Sequence, residues 1–124
     1  MRLLLDTQIV LWELSGERVV SGRAQQAIED ATEIAFSVVS FAEIGIKAAL
    51  GKLDVPDDLR ERVVESGLSI LGLAPTHGLA VATLPMHHRD PFDRLLISQA
   101  RTERLTELTS DRRFGLYGVP VIAA

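Results

Sequence analysis

Cysteine is absent from the 124 residues, which removes disulfides, thiolate nucleophiles and cysteine-held zinc from consideration. Aromatic residues make up only 5% of a chain that is 47% apolar. The core is therefore expected to consist of Leu, Val, Ile and Ala, as where helices pack on a buried parallel sheet. No apolar run approaches membrane-spanning length. Met1-Arg2 lead directly into a strand-like run, without the apolar segment and cleavage site of a signal peptide. These absences predict a cytoplasmic protein with no membrane association. A large positive charge is also missing: the formal net charge of -4 is opposite to that of a protein that grips phosphates over its whole surface. One domain spanning residues 1–124 is expected, and a chain of this size buries roughly two thirds of its unfolded surface.

The periodicity alternates between short apolar runs and amphipathic stretches. Arg2 to Leu5, Ile34 to Ser37, Ser69 to Leu73, Thr106 to Thr109 and Val119 to Ile122 read as five strands. Between them, helices are expected over Thr7–Leu14, Ser21–Ala31, Ser40–Leu50, Asp57–Glu65, Thr76–Leu84 and Asp90–Glu103. Ser40 with Glu43 three residues on has capping-box spacing, Gly51 ends that helix, and Asp90-Pro91 pairs an N-cap acid with proline at the first helical position. Strands alternating with helices predict an α/β fold, a three-layer sandwich around a parallel sheet of about five strands.

Four carboxylates fall where such a fold collects ligands. Asp6 and Asp111 follow the first and fourth strands, while Glu43 and Asp93 lie in first turns of helices that begin at the same edge. In an open α/β sheet, the carboxyl edge is the binding edge. Taking these four from the 17 acids leaves as many acids as there are Lys plus Arg residues, 13. The negative balance is thus accounted for by the proposed site. Each acid taken alone has an ordinary structural reading as a helix cap or a first-turn acid. A group of oxygen ligands suits Mg²⁺, with Mn²⁺ as an acceptable substitute.

Four ordered segments carry a resemblance. They are Leu4-Leu5-Asp6-Thr7, then Ser40-Phe41-Ala42-Glu43-Ile44-Gly45-Ile46-Lys47 with Gly51-Lys52-Leu53, then Leu84-Pro85-Met86-His87-His88-Arg89-Asp90-Pro91-Phe92-Asp93-Arg94-Leu95-Leu96-Ile97, and Thr109-Ser110-Asp111-Arg112-Arg113-Phe114. In this order they resemble a PIN-domain nuclease of the VapC toxin type found in bacterial toxin–antitoxin pairs, over nearly the whole chain. The resemblance makes Asp6, Glu43, Asp93 and Asp111 the catalytic and metal-holding acids, and leaves Asp90 as a helix cap. Gln8 and Ala42 stand where members of this subgroup often carry histidine and tryptophan. Neither position is a metal ligand, so the departures bear on substrate shaping and partner contacts.

The resemblance implies an Mg²⁺-dependent endoribonuclease that leaves a 5′-phosphate and a 3′-hydroxyl, a cognate VapB-type antitoxin that blocks the acidic groove, and a homodimer. Holding RNA beside an acidic centre requires cations nearby. Lys47, Arg89, Arg94, Arg112 and Arg113 flank the acids and are expected to contact phosphate, with Thr7 as a further substrate contact. Part of the apolar set Phe41, Ile44, Ile46, Leu50 and Leu53 is expected to face a partner. A zinc site at His87-His88 is disfavoured, because adjacent side chains diverge and no cysteine completes the set. A receiver-type phosphoacceptor would carry a lysine after its last strand, and an aspartyl phosphatase a second aspartate at position 8; the lysines are Lys47 and Lys52, and position 8 is Gln8. The rival from another class is a PIN-like domain that binds RNA or protein without cutting.

Overall fold

The computed structural model describes residues 1–124. Its five strands are β1 (Arg2–Leu5), β2 (Glu33–Ser37), β3 (Ser69–Leu71), β4 (Thr106–Thr109) and β5 (Val121–Ala123). Six helices connect them: α1 (Thr7–Ser15), α2 (Gly22–Asp30), α3 (Val38–Ala49), α4 (Leu59–Glu65), α5 (Pro75–Ala80) and α6 (Pro91–Glu103). Short 3₁₀ segments follow α5 at Val81–Thr83 and β4 at Arg112–Tyr117. All strand pairs are parallel, in the order β3-β2-β1-β4-β5. The five-stranded α/β sandwich expected from the sequence is thus the fold observed. No helix is long and apolar enough to cross a membrane.

Side-chain alternation sends Leu3 and Leu5 of β1 to one face and Leu4 to the other. The first face packs Ile9, Val10 and Trp12 of α1, Ala24 and Ala27 of α2, and Leu59 and Val63 of α4. The second packs Val39 of α3 with Leu96, Ile97 and Ala100 of α6, and with Phe114 and Tyr117 of the second 3₁₀ segment. After β1 the chain winds to one side through β2 and β3, then crosses to the other through β4 and β5. The order reverses at the boundary between β1 and β4, the topological switch point where doubly wound sheets open a crevice.

The helix α3 starts earlier than the capping-box spacing predicts. Its N-cap is Ser37, whose Oγ accepts the Val39 N–H at 3.0 Å. Ser40 and Glu43 therefore lie inside the helix, because β2 runs into α3 without a loop. At its other end Gly51 adopts φ +72°, a left-handed conformation that glycine takes without strain. The α6 start is as expected: Asp90 Oδ1 accepts the N–H groups of Phe92 and Asp93 at 2.8 and 3.1 Å, ahead of Pro91. The segment expected as one helix to Leu84 splits into α5 and a 3₁₀ turn. The Arg112–Tyr117 segment has no counterpart in the sequence reading.

Candidate metal centre at the sheet switch point

Asp6 occupies the N-cap position of α1 yet makes no capping hydrogen bond. Its Oδ2 instead accepts the Thr109 hydroxyl from the end of β4 at 2.8 Å, across the crevice between β1 and β4. The Asp6 carboxyl is buried, 8% exposed. Burial raises its pKa above the usual value, the Thr109 hydrogen bond opposes this, and the nearby charges of Glu43 and Asp111 add to the rise. An acid that forgoes its helix cap and is buried against a neighbouring strand is poorly explained as a capping residue.

Asp93 enters the same space from the first turn of α6. Burial pushes its carboxyl up to about 8, with further contributions from Asp6, Asp90, Glu43 and Asp111. Glu43 approaches from the second turn of α3. Its Oε1 accepts the Thr7 hydroxyl at 2.8 Å, and its Oε2 is 2.7 Å from Lys47 Nζ one turn further along. Thr7 Oγ1 also pairs with Ser40 Oγ at 2.7 Å. Asp111 closes the group from the end of β4. Its Oδ1 accepts the backbone N–H and Nε of Arg113, and its Oδ2 lies 2.9 Å from Arg113 Nη2. Partial burial would raise this carboxyl, but hydrogen bonds from Arg113 and His88 hold it down at about 2. The fold brings the four acids of the sequence reading to one crevice.

His88, not among the site residues expected from the sequence, is buried between Asp93 and Asp111. Its Nε2 lies 2.9 Å from Asp93 Oδ2 and 2.9 Å from Asp111 Oδ2. Its Nδ1 accepts the Asp90 N–H at 3.2 Å. An Nδ1 that accepts places the proton of the neutral ring on Nε2, so His88 donates to Asp111. His88, Asp93 and Asp111 are close enough to surround a metal ion, but this tautomer makes the imidazole an orienting donor. A signal for it was present in its position two residues before the cap of α6.

A fifth carboxylate lies below. Glu107, in the middle of β4, is 0% exposed, and both its carboxylate oxygens lack a hydrogen-bond partner. Burial raises its pKa well above the ordinary value, reinforced by Asp6 and Asp93. An ionisable residue in a central parallel strand, where both faces are covered, is the sequence anomaly that could have flagged it.

The expected phosphate contacts separate into three groups. Arg94 corrects the expectation: its guanidinium is buried and donates to the carbonyls of Pro85, His88, Val81 and Leu84, with Tyr117 Oη at 3.5 Å. It fastens the 81–88 segment to α6 and keeps little exposure to solvent. Thr7 is likewise buried, and its hydroxyl is committed to Glu43 and Ser40. Lys47 and Arg113 stand at the crevice, paired with Glu43 and Asp111. Arg89 and Arg112, next in sequence to His88 and Asp111, are exposed, and neither has a carboxylate partner. Of the apolar set on and after α3, Ile44 is buried, Phe41 and Leu53 are half-buried, and Ile46 and Leu50 are exposed.

Comparison with known proteins agrees with this geometry. The family model described as "PIN domain" matches residues 3–119. Ribonuclease VapC22 of Mycobacterium tuberculosis is 30% identical over 118 residues, covering 89% of this chain and 87% of that protein. Among solved structures, VapBC2 from Rickettsia felis, bound to a promoter DNA fragment, superposes with a TM-score of 0.74 at 16% identity, covering 99% of this chain and 98% of the other. DNA-bound VapBC from Salmonella typhimurium gives 0.73 at 14% identity with the same coverage. These structures share the fold; the family model and the curated relative show the kinship. The chain belongs to the PIN domain family, in its VapC branch.

Proposed function

We propose that this protein is a metal-dependent endoribonuclease of the VapC toxin type, with Asp6, Glu43, Asp93 and Asp111 as its catalytic acids. The observation that carries the proposal is the state of Asp6 and Asp93. Burial and neighbouring like charges disfavour ionisation of both, and neither forms an ion pair with Lys or Arg. The donor set around them is oxygen, which fits a hard divalent cation such as Mg²⁺ or Mn²⁺. A bound cation of this kind polarises a phosphoryl oxygen and lowers the pKa of a coordinated water.

The chain's own residues supply the remaining functions. Asp6 and Asp93 would hold the cation. Glu43, fixed by Thr7 and Lys47, turns its remaining lone pairs toward a water and orients it for attack. Asp111, held by His88 and Arg113, contributes negative charge at the outer edge. Arg89 and Arg112 offer unpaired guanidinium groups to RNA phosphates beside the crevice. The relative VapC22 is a ribonuclease by name, which supports RNA as the substrate class.

The VapBC neighbours are complexes of toxin with antitoxin, and this supports a VapB-type partner here. Two surface features fit such a partner: exposed Ile46 and Leu50 on α3, and an apolar groove between α1 and α4 lined by Ile9, Val10, Leu14, Ile28, Val63 and Leu68. The homodimer expected from the resemblance is part of the same proposal.

The binding-module reading draws on one observation, the engagement of both Asp111 oxygens by Arg113 and His88. Cleavage of structured RNA by antitoxin-free wild type and Asp6→Ala protein, in Mg²⁺ or Mn²⁺ against EDTA, separates the two. Metal-dependent cutting that leaves 5′-phosphates and disappears in the folded variant is expected. RNA binding with no cutting, and no metal-induced stabilisation, would support the binding module.

A further inference from the structure

Glu107 is not among the acids of the family pattern carried onto this chain, and nothing in the scheme above uses it. In register with Leu4 of β1 and Val121 of β5, it projects onto the sheet face covered by α6, where Leu4 packs with Leu96 and Ile97. Two residues further along β4, on the same face, Thr109 donates to Asp6. The Glu107 side chain therefore lies in the crevice floor, one strand repeat beneath Asp6, near enough for the charges of Asp6 and Asp93 to act on it.

The protein provides nothing to satisfy this carboxylate. Its two oxygens are the only buried side-chain polar atoms without a partner. The neighbouring polar groups on this face are already engaged: Ser37 pairs with Gln99, Gln99 with the Gly72 carbonyl, and Thr109 with Asp6. A buried carboxylate without a partner is strongly disfavoured, and an apolar residue would fill this strand position without that penalty. The nearest charges, Asp6 and Asp93, are of like sign, so a cation entering the crevice is the species that relieves all three.

We infer that Glu107 is a fifth carboxylate of the cation centre, contributing from the sheet floor, through one water, to a divalent ion held by Asp6 and Asp93. This rests on the metal-dependent reading of the site. It makes the centre deeper than a four-acid rim and adds negative charge on the side away from substrate.

Mn²⁺ binding by metal-stripped full-length protein tests this, by calorimetric titration and by the paramagnetic signal of free Mn²⁺. Wild type is compared with Glu107→Gln, which keeps shape and loses charge, and with Glu107→Leu, which suits the apolar floor. Both variants should melt higher than wild type without metal, and both should bind Mn²⁺ at least about tenfold more weakly, the lower bound for groups that tune a metal from its outer shell. The Mn²⁺-induced rise in melting temperature should shrink accordingly. Variants that bind Mn²⁺ within twofold of wild type would overturn the role of Glu107 and leave the metal-dependent reading intact. A wild type that takes up no Mn²⁺ would overturn both. If the Leu variant does not fold, the near-isosteric Gln variant decides the question.

Discussion

Glu43 and Asp111 each stand beside a protein cation, at 2.7 Å from Lys47 and 2.9 Å from Arg113. Asp6, Asp93 and Glu107 have no Lys or Arg partner; burial disfavours the ionisation of all three, the charge of Asp6 adds to this at Asp93, and the charges of Asp6 and Asp93 add to it at Glu107. The rim of the crevice is therefore neutralised from within the chain, while the floor and inner wall are left uncompensated. Buried charges are ordinarily paired. A group left unpaired at the switch point of an α/β sheet, in a chain that pairs its other site acids, points to an external cation as the missing partner.

The largest test of this contrast is to neutralise the inner wall. Asp6→Asn or Asp93→Asn should weaken Mn²⁺ binding by at least about a hundredfold, the upper end for outer-shell partners and a lower bound for direct ligands, and RNA cleavage should fall to background. The pH dependence follows from Asp93, whose carboxyl ionises near 8 in the folded protein against 3.8 ordinarily. Between those values the unfolded chain has released a proton that the folded chain keeps. Metal-free wild type should then lose stability as pH rises from 3.8 to about 8 and level off above it. Melting curves in EDTA should show this slope, and Asp93→Asn should reduce it, leaving the part due to Asp6 and Glu107. An unchanged slope in the variant would mean that Asp93 is not the proton-retaining group.

Two arginines in the same motif separate architecture from recognition. Replacing Arg94 with Met removes donors from four carbonyls at once, and with them the tie between the 81–88 segment and α6. A loss of about 3 kcal/mol is expected, measured by denaturant unfolding. That segment carries His88, so Asp93 and Asp111 lose their shared neighbour as well. Stability unchanged in Arg94→Met would restore Arg94 to the phosphate-binding group.

Arg89 and Arg112 give a smaller and different signal. Neither has a carboxylate partner, so replacing either with Ala should leave Mn²⁺ binding unchanged. Each loss should reduce the slope of log affinity for single-stranded RNA against log salt by about 0.7. A salt slope identical to wild type in both variants would move the RNA track elsewhere on the surface.

Much of this architecture was legible from residue patterns. Strands β1 and β4 match their sequence spans residue for residue, and the Asp90-Pro91 start of α6 is in place with its hydrogen bonds. Strand order was not legible, because periodicity reports which face a residue occupies and nothing about which strand lies beside it. The capping-box spacing at Ser40 misled because β2 turns directly into α3, so the cap moved three residues upstream to Ser37. Arg94 misled for a related reason: a guanidinium next to a proposed catalytic acid looks like a phosphate clamp until its depth is known. His88 and Glu107 were missed because what distinguishes them is burial, which a position between two helices and an unremarkable strand position conceal. The four acids were singled out by their places at strand ends and helix starts and by the family pattern that orders them along the chain; each taken alone also has an ordinary capping role.

The smallest effect concerns the rim itself. Lys47 is half-exposed on its pair with Glu43, and such a pair contributes at most about 1 kcal/mol to stability. Lys47→Gln should therefore scarcely move the melting temperature. Its effect on the crevice has the opposite sign to that of the floor variants, because removing a resident positive charge leaves the acids more attractive to a divalent ion. Mn²⁺ affinity should rise a few-fold in Lys47→Gln while it falls in Asp93→Asn. Glu43 would keep the Thr7 hydroxyl on Oε1, so its orientation survives the change. If affinity falls in both, Lys47 supports the centre by positioning Glu43, and the rim and inner wall form one ligand set instead of two with separate charge balance.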